Sequence, residues 1–223
     1  MNKAICILSG GLDSATTLGI AMSENDEVIA LHFDYNQRTM DKEKECFLKL
    51  CKHYDIKGEI IDASFIAQIG ANSLTDTSMQ IKKSDTFIKS DEVPNTYVPF
   101  RNGVFLSIAG ALAEKEKANA IYIGVVWEDS SGYPDCKIEF INAANEFIKQ
   151  GSSYLNELKI KAPLINLKKD EIIQKAISLK VPLEYTWSCY ESNDKACGKC
   201  ESCLLRLRGF EKLGIEDKIR YKI

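Results

Sequence analysis

The chain has 223 residues, of which 45% are hydrophobic and 27% are charged, and its formal net charge is −3. This length suits one domain, or one domain with a small appendage, and the apolar fraction is enough to build a packed core. The small negative charge excludes the broadly basic surface with which proteins bind nucleic acid or anionic membranes, so we expect neither partner.

Two further features indicate the compartment. No apolar run approaches the roughly 20 residues that a membrane-spanning helix needs, and the first residues have a strand pattern where a signal peptide would lie. Eight cysteines in such a chain indicate a reducing compartment, where thiols bind metal or pack in the core instead of forming disulfides. We therefore expect a soluble cytoplasmic protein.

The first turn of the chain is rich in glycine. Residues 5–8 predict a buried strand, residues from Ala15 onward predict a helix, and Ser-Gly-Gly-Leu-Asp-Ser lies between them at 9–14. Two adjacent glycines let backbone N–H groups converge, and the following helix adds unpaired donors and its positive dipole end. The turn therefore predicts a phosphate cradle. The alternative is a plain turn in which Ser or Asp caps the helix.

This hexapeptide is neither a Rossmann fingerprint nor a Walker A loop, because the third glycine and the Gly-Lys-Ser/Thr are missing. It resembles the PP-loop of the ATP pyrophosphatases, which split ATP between the α and β phosphates and adenylate a substrate oxygen. The resemblance implies ATP and Mg²⁺ as cofactors and catalytic roles for Asp13 and Ser14, with Asp13 as the magnesium partner. The implied nucleotide-binding residues are Leu8, Ser9, Gly10, Gly11, Leu12, Asp13, Ser14, Ala15, Thr16, Thr17 and Leu18.

A second strand at 28–33 and a third at 59–62 flank a helix at 41–53. Strand, helix and strand in succession predict a parallel sheet, in which ligands bind beyond the carboxyl ends of the strands. The loop after the second strand carries Gln37 and Arg38, which either hold phosphate or substrate or are simply solvated. Residues 64–95 show no clear pattern and predict a lid or partial disorder.

The middle of the chain predicts a helix that begins after Pro99, with Asn102 as a possible cap. Arg101 then lies at the helix N-terminus, where the dipole disfavours a cation, and this indicates an anion nearby; the alternative is an outward salt bridge. A buried strand at 120–126 precedes a loop with aromatic and acidic residues. That loop suits a flat heterocycle, or is a turn in which Asp135 caps the helix at 138–149.

Tyr-Val-Pro-Phe-Arg-Asn at 97–102 and Ser-Gly-Tyr-Pro-Asp-Cys at 131–136 resemble signatures of the 7-cyano-7-deazaguanine synthases, PP-loop enzymes of queuosine precursor synthesis. The resemblance covers essentially the whole chain. It departs from the family pattern at Asn36, where Gly is expected, and at Lys137, where Arg is expected. The implied substrate-binding residues are Tyr35, Gln37, Arg38, Arg101, Asn102, Asp129, Ser131, Tyr133 and Asp135.

The resemblance also implies a reaction. ATP and ammonia convert 7-carboxy-7-deazaguanine to the 7-cyano compound through adenylated intermediates, with AMP and pyrophosphate released. Arg101 is implied as a catalytic residue, and the family suggests a homodimer.

Residues 161–165 predict a last strand, 169–179 a helix and 204–210 a closing helix. Lys169, at the start of the first of these helices, is a candidate for a nucleotide contact, and the alternative is that it only lies in the first turn of the helix. Four cysteines within 15 residues suit a closed tetrahedral zinc site, with an iron–sulfur cluster or free redox thiols as alternatives. The family resemblance also implies zinc, in a structural role. The candidate ligands are Cys189, Cys197, Cys200 and Cys203.

These patterns together predict an α/β fold: an open, doubly wound, mostly parallel sheet of about five strands, of the adenine nucleotide alpha hydrolase type, with a small C-terminal zinc-binding element. The predicted boundaries are 1–186 for the PP-loop domain and 187–223 for the zinc-binding tail. Two other functions stay open. One is a PP-loop tRNA thiolase or another amide-forming synthetase, and the other is a nucleotide-binding sensor without catalysis.

Overall fold

The computed structural model describes residues 2–84, 93–127, 132–153 and 158–223. In this part of the chain, five strands pair in parallel to form one sheet. The strands are β1 (Lys3–Ile7), β2 (Glu27–Asp34), β3 (Gly58–Asp62), β4 (Ala120–Tyr122) and β5 (Lys159–Lys161).

The strand order is β3-β2-β1-β4-β5. The chain winds outward from β1 through β2 to β3 and then returns to place β4 on the other side of β1. In register, Ile5 of the central strand lies beside Ile29 on one side and Ile121 on the other. The strand order therefore reverses between β1 and β4, and open α/β sheets bind ligands at such a point.

Helices cover both faces of this sheet because successive strand side chains point to opposite sides. Ile5 and Ile7 pack in the cluster that holds α4 and α5, whereas Cys6 and Leu8 pack with α1, α2, α6 and α7. None of the described helices is both long enough and apolar enough to cross a membrane. The helices are α1 (Leu12–Glu24), α2 (Met40–Tyr54), α3 (Phe65–Ile69), α4 (Arg101–Glu116), α5 (Ile138–Gly151), α6 (Lys169–Ser178) and α7 (Glu201–Lys212).

The predicted fold class is confirmed, and its strand boundaries differ at the sheet edge. β4 ends at Tyr122 instead of continuing to Val126, and residues 123–126 line a cavity. β5 ends at Lys161 instead of beginning there. Pro163 has no N–H to donate, and the chain turns at this point, where the Ile165 N–H donates to the Ala162 carbonyl at 3.2 Å.

The patternless segment at 64–95 is folded onto the body over its described part. It contains α3, and Ile66, Leu74 and Ile81 are buried. Ile81 belongs to the apolar cluster around the C-terminal cysteines. The predicted partial disorder is therefore absent over 64–84, the lid stays a prediction, and residues 85–92 lie outside the described residues.

The C-terminal tail is anchored by a buried ion pair. Arg206 and Asp217 are 1% and 3% exposed, and the guanidinium donates to both carboxylate oxygens at 2.6 and 2.9 Å. Arg206 also donates to the Thr186 hydroxyl at 2.8 Å. Phe210 of α7 packs in the same core cluster as Ile172 of α6. The tail thus shares the main core, and the boundary at 186/187 stays a prediction.

Replacing Asp217 with alanine leaves the buried Arg206 guanidinium without its ionic partner. We expect the free energy of unfolding to fall by about 3–5 kcal/mol, the cost of an uncompensated buried charge. Glu184→Ala is the matched control, since Glu184 pairs with Lys218 on the surface at 3.5 Å and exposed pairs contribute about 0–1 kcal/mol. Urea denaturation measures both variants, and equal losses would contradict the prediction.

Candidate functional site

A cavity of about 260 Å³ lies at the carboxyl ends of β1, β2 and β4. Its walls come from the glycine-rich turn, the loop after β2, the start of α4, residues 123–126 and residues 187–190. Segments far apart in the sequence meet here because parallel strands place their carboxyl ends at one edge. The cavity therefore lies where the strand order reverses.

The glycine-rich turn forms the floor of the cavity. Gly10 has φ +88°, and a Cβ there would lie 2.6 Å from the Glu43 carbonyl, so only glycine fits. The Ser9 hydroxyl accepts from the Gly11 N–H at 3.2 Å and lies 3.0 Å from the Ser14 hydroxyl. No side chain caps α1. The unpaired amides of its first turn therefore supply the donors of an anion site.

Lys169 and Asp13 form the central ion pair of this site. The Lys169 ammonium donates to both Asp13 carboxylate oxygens, at 2.7 and 2.8 Å, and Lys169 is only 8% exposed. Both residues lie in the first turn of a helix, α6 and α1 respectively. Two positive helix ends and an ammonium thus converge on the Asp13 carboxylate, and α6 also carries Asp170 and Glu171 in its first turn. The unpaired amides of α1 beside this ammonium favour an anionic ligand.

The predicted nucleotide-binding residues divide into two groups. Gly10 and the residues at 15–18 do not line the cavity, and the latter are buried in α1. The assignment of these residues to nucleotide stays a prediction. Those that line the cavity are Leu8, Ser9, Gly11, Leu12, Asp13, Ser14 and Lys169.

Gly124 is a site residue that the sequence analysis missed. It follows β4 and lines the cavity, and a Cβ there would lie 3.0 Å from the Thr17 hydroxyl and 3.1 Å from Ser14 Cα. The absent side chain lets the first turn of α1 approach the end of β4. The available signal was a single glycine at the end of an otherwise apolar strand.

Arg101 reaches the cavity from the first turn of α4, as predicted. Its guanidinium donates to the Tyr35 hydroxyl at 2.8 Å and lies over the Tyr35 and Phe105 rings. Phe100, with φ +53°, occupies the cap position before it, so the expectation that Asn102 is the cap is wrong. Packing against these two aromatic rings therefore orients the Arg101 guanidinium, and Arg101 lines the cavity.

Asp135, in the loop after β4, forms hydrogen bonds with the start of α4. Its carboxylate accepts from the Asn102 backbone N–H at 3.0 Å, and it is 4% exposed. Burial raises the pKa of this carboxyl. Asn102 in turn donates from its side chain to the Asp135 carbonyl at 3.2 Å. Asn102 lines the cavity and Asp135 does not, so the structure gives Asp135 a capping contact that Phe100 cannot supply.

The loop after β2 is built around Glu43. Asn36 has φ +60°, a conformation that glycine adopts freely and asparagine tolerates, so the structure accommodates this departure from the glycine expected there. The Glu43 carboxylate accepts from the Gln37 amide at 3.0 Å and from the Thr39 hydroxyl at 2.7 Å. Tyr35, Gln37, Arg38 and Glu43 all line the cavity.

The Arg38 guanidinium forms hydrogen bonds to backbone carbonyls of the protein. It donates to the carbonyls of Ser73 at 2.6 Å, Asp76 at 2.9 Å and Met79. These contacts hold the turn-rich segment after α3 against the cavity. The assignment of Arg38 to substrate stays a prediction beside this structural contact.

The loop after β4 is only partly described. Tyr133 lines the cavity, and its hydroxyl lies 2.8 Å from the Thr96 hydroxyl. The Lys137 ammonium lies 5.1 Å from the centre of the Trp127 ring. Asp129 and Ser131 lie outside the described residues, so their predicted roles are not tested.

The cysteine-rich tail contributes a wall that the sequence analysis did not assign. Four residues of the tail line the cavity: Trp187, Ser188, Tyr190 and Ser202. The backbone N–H of Trp187 donates to the Gly10 carbonyl at 2.9 Å. Their signal in the sequence was only their position beside the cysteines. The tail therefore lies against the glycine-rich turn and forms part of the site.

The four tail cysteines converge as a candidate metal centre. Their sulfurs all lie within 4.8 Å of one another. Backbone N–H groups of Cys197 and Glu191 donate to the Cys189 sulfur at 3.3 and 3.4 Å, and that of Cys200 donates to the Cys197 sulfur at 3.2 Å. These amide hydrogen bonds stabilise negative charge on sulfur, and metals bind the thiolate form. The donor set therefore fits a thiophilic metal ion.

Known proteins resemble this chain over its whole length. A family model described as "Queuosine biosynthesis protein QueC" matches residues 3–214. Proteins named 7-cyano-7-deazaguanine synthase from Campylobacter jejuni and Campylobacter concisus are 59% and 58% identical, over 99% and 100% of this chain and 98% and 100% of theirs. A solved structure titled as a predicted subunit of tRNA methyltransferase from Methanocaldococcus jannaschii matches with TM-score 0.53 and 13% identity, covering 98% of this chain and 91% of that one. This structural likeness concerns the fold alone.

Gly124→Ala tests the close approach of β4 to the phosphate cradle. The new methyl group meets α1 at about 3 Å, so we expect a loss of about 1–3 kcal/mol from overpacking and a weaker affinity for ATP. Gly151→Ala is the control, because nothing lies within 4 Å of a Cβ there. Calorimetric titration with ATP compares the two variants. Equal affinities would contradict the prediction.

Proposed function

This chain belongs to the QueC family of queuosine biosynthesis proteins, and we propose that it is an ATP-dependent ligase that converts 7-carboxy-7-deazaguanine and ammonia to 7-cyano-7-deazaguanine. The expected family resemblance is thereby confirmed. The observation that carries the proposal is the cavity itself. An anion cradle, an inward arginine and aromatic side chains line one space at the point where the strand order reverses.

The proposed reaction has two activation steps. The substrate carboxylate attacks the α-phosphate of ATP, pyrophosphate leaves, and ammonia displaces AMP to give an amide. A second adenylation on the amide oxygen lets that oxygen leave with AMP, and a nitrile remains. No covalent enzyme intermediate is needed, in keeping with the absence of a Cys–His or Ser–His pair among the described residues that line the cavity.

Several groups of the chain can stabilise the negative charge that develops on the phosphates and the substrate during these steps. The first-turn amides of α1 and the Lys169 ammonium stabilise negative charge that develops on the departing pyrophosphate. Arg101 balances a substrate carboxylate or a phosphate, and Tyr35 fixes its direction. Magnesium, when bound, would shield the phosphate oxygens, and Asp13 is the candidate carboxylate partner. In that arrangement Asp13 shares its charge between the metal ion and Lys169.

Zinc is the metal that we propose for the four cysteines. A zinc ion with bonds of about 2.3 Å to four thiolates holds the sulfurs about 3.8 Å apart, which agrees with sulfurs that all lie within 4.8 Å. An iron–sulfur cluster occupies more space between its ligands and separates them further. The closed set of four protein ligands supports a structural role, because no position is left for a substrate.

Metal analysis and chelation test this assignment. We expect about one zinc ion per chain, and its removal to lower both the melting temperature and the activity, because residues 187–190 line the cavity. Re-addition of zinc restores both. Iron and sulfide in the purified protein, with absorbance typical of a cluster, would show that the assignment is wrong.

The residues of the site also bear on the two alternative functions, a tRNA thiolase and a nucleotide-binding sensor. A tRNA thiolase needs a basic RNA-binding face and a reactive cysteine pair or cluster, whereas this chain has a formal net charge of −3 and its four tail cysteines are candidate ligands of one metal ion. Burial also raises the pKa of Cys136, which lines the cavity, to about 12. A sensor would not need the inward Arg101 together with Lys169. We further propose that the enzyme works in the cytoplasm as a homodimer, as the family resemblance implies.

The decisive experiment combines purified protein with ATP, Mg²⁺, ammonia and 7-carboxy-7-deazaguanine, followed by mass spectrometry of the base and the nucleotides. We expect nitrile together with AMP and pyrophosphate, and amide at early times. Reactions without ammonia or without the base are the controls. AMP without nitrile would assign the ATP chemistry to another substrate, and bound ATP without turnover would support a sensor.

A further inference from the structure

The proposed function, on which this inference rests, requires extensive proton removal. An ammonium ion carries four protons, and the nitrogen of the nitrile product carries none. One proton leaves when ammonium becomes the nucleophile, one when the amide forms, and two when the amide becomes the nitrile. A group that accepts protons from nitrogen is therefore needed beside the reacting carbon.

Few of the described groups that line the cavity can serve as this acceptor. Histidine is absent from the described lining. Asp13 is held in its ion pair with Lys169. Burial raises the pKa of both Tyr35 and Cys136 to about 12, so neither thiolate nor phenolate is available at neutral pH. Glu43 is the remaining carboxyl group in this part of the cavity wall.

Glu43 is held in place as a catalytic group has to be. It lies in the first turn of α2, one carboxylate oxygen accepts from Gln37 and the other from Thr39. Gln37 and Thr39 are 4% and 2% exposed, so both donors are fixed by packing. The Gln37 carbonyl oxygen in turn accepts from the Tyr35 N–H at 3.0 Å.

We propose that Glu43 binds the incoming ammonium ion and accepts protons from its nitrogen during amide formation and during conversion of the amide to the nitrile. In the first step an N–H bond of ammonium breaks and its proton passes to a carboxylate oxygen. The nitrogen lone pair then forms the C–N bond as the C–O bond to AMP breaks with its electrons on AMP, and the carboxyl, after releasing its first proton to solvent, accepts the second proton from the bonded nitrogen. In the second adenylated species the two remaining N–H bonds break in turn, and each proton passes to the carboxylate and from there to solvent. The electrons of the last N–H bond form the third C–N bond of the nitrile as the C–O bond breaks and its electrons leave with AMP.

The surroundings of Glu43 suit reversible proton transfer. Burial raises the pKa of its carboxyl, and the hydrogen bonds from Thr39 and Gln37 and the charges of His32 and Arg101 oppose that rise. A carboxyl with a raised pKa is a better proton acceptor than an exposed one. A negative charge here also attracts ammonium and repels the substrate carboxylate, which leaves that carboxylate to Arg101.

Glu43→Gln tests the proposal by separating the two halves of the reaction. The first half is measured as pyrophosphate exchange into ATP that depends on 7-carboxy-7-deazaguanine, and it needs no ammonia. The second half is measured as amide and nitrile formation over a range of ammonium concentrations. Glutamine keeps the size of the side chain and can still pair with Thr39 and Gln37, and melting temperature checks the fold.

We expect amide and nitrile formation to fall by about 10²-fold or more in this variant, the usual contribution of a general base. Exchange should stay within about threefold of the unaltered protein, because it involves no nitrogen. Parallel losses in both assays would overturn the proposal and assign Glu43 to loop structure. A raised KM for the base in exchange would overturn it in favour of purine recognition. An unaltered protein that forms no amide would overturn the proposed function and this inference together.

Thr39→Val is the matched variant for a purely structural effect. It removes one hydrogen bond to Glu43 and keeps the carboxylate in the cavity. We expect a loss in amide formation much smaller than that of Glu43→Gln. An equal loss at equal melting temperature would overturn the proposed role of the carboxylate.

Discussion

The Asp13–Lys169 ion pair joins the two helix N-termini on which the site depends. Lysine in a first helical turn opposes the dipole, and a buried ammonium is costly without a partner. Asp13 offsets both effects, because its two carboxylate oxygens lie 2.7 and 2.8 Å from the Lys169 ammonium. The pair holds α1 and α6 together at the cavity floor. A polyphosphate is the kind of ligand that the amides at such helix ends stabilise.

The rest of the site is arranged around this floor by close packing. Gly10 and Gly124 have no room for a side chain, so the turn approaches α2 directly and the end of β4 approaches α1 directly. Arg101 is aimed by Tyr35, and Asp135 holds the start of its helix. Each of these contacts joins segments that are distant in sequence. The chemistry of the site therefore depends on the complete sheet.

The sequence predicted those features whose cause is local. The glycine-rich turn, Arg101 at a helix start and the cysteine cluster each depend on residue type and short spacing, and the structure has all three in the predicted places. The family resemblance supplied the reaction. Asn36 shows how a departure from a family pattern can be read physically, since the structure requires a positive φ there.

What the sequence did not predict depends on contacts across the fold. The Glu43 side chain looks like an ordinary helix residue until Gln37 and Thr39 are seen to hold it in the cavity wall. Likewise, nothing local shows that Asp135 caps a helix that begins 34 residues earlier, or that Trp187 touches the glycine-rich turn. Tertiary packing decides these roles.

The order of the strands also affects how the molecule is made. β1 is synthesised first, yet its second neighbour is β4, and the partner of Asp13 lies 156 residues further along the chain. Contacts of such long range form late and slow the folding of a domain. On the ribosome the phosphate cradle therefore stays incomplete until α6 and the cysteine-rich tail have emerged. A chain that ends before α6 lacks the partner of Asp13 and the tail wall of the cavity, so a complete site marks the end of synthesis and folding.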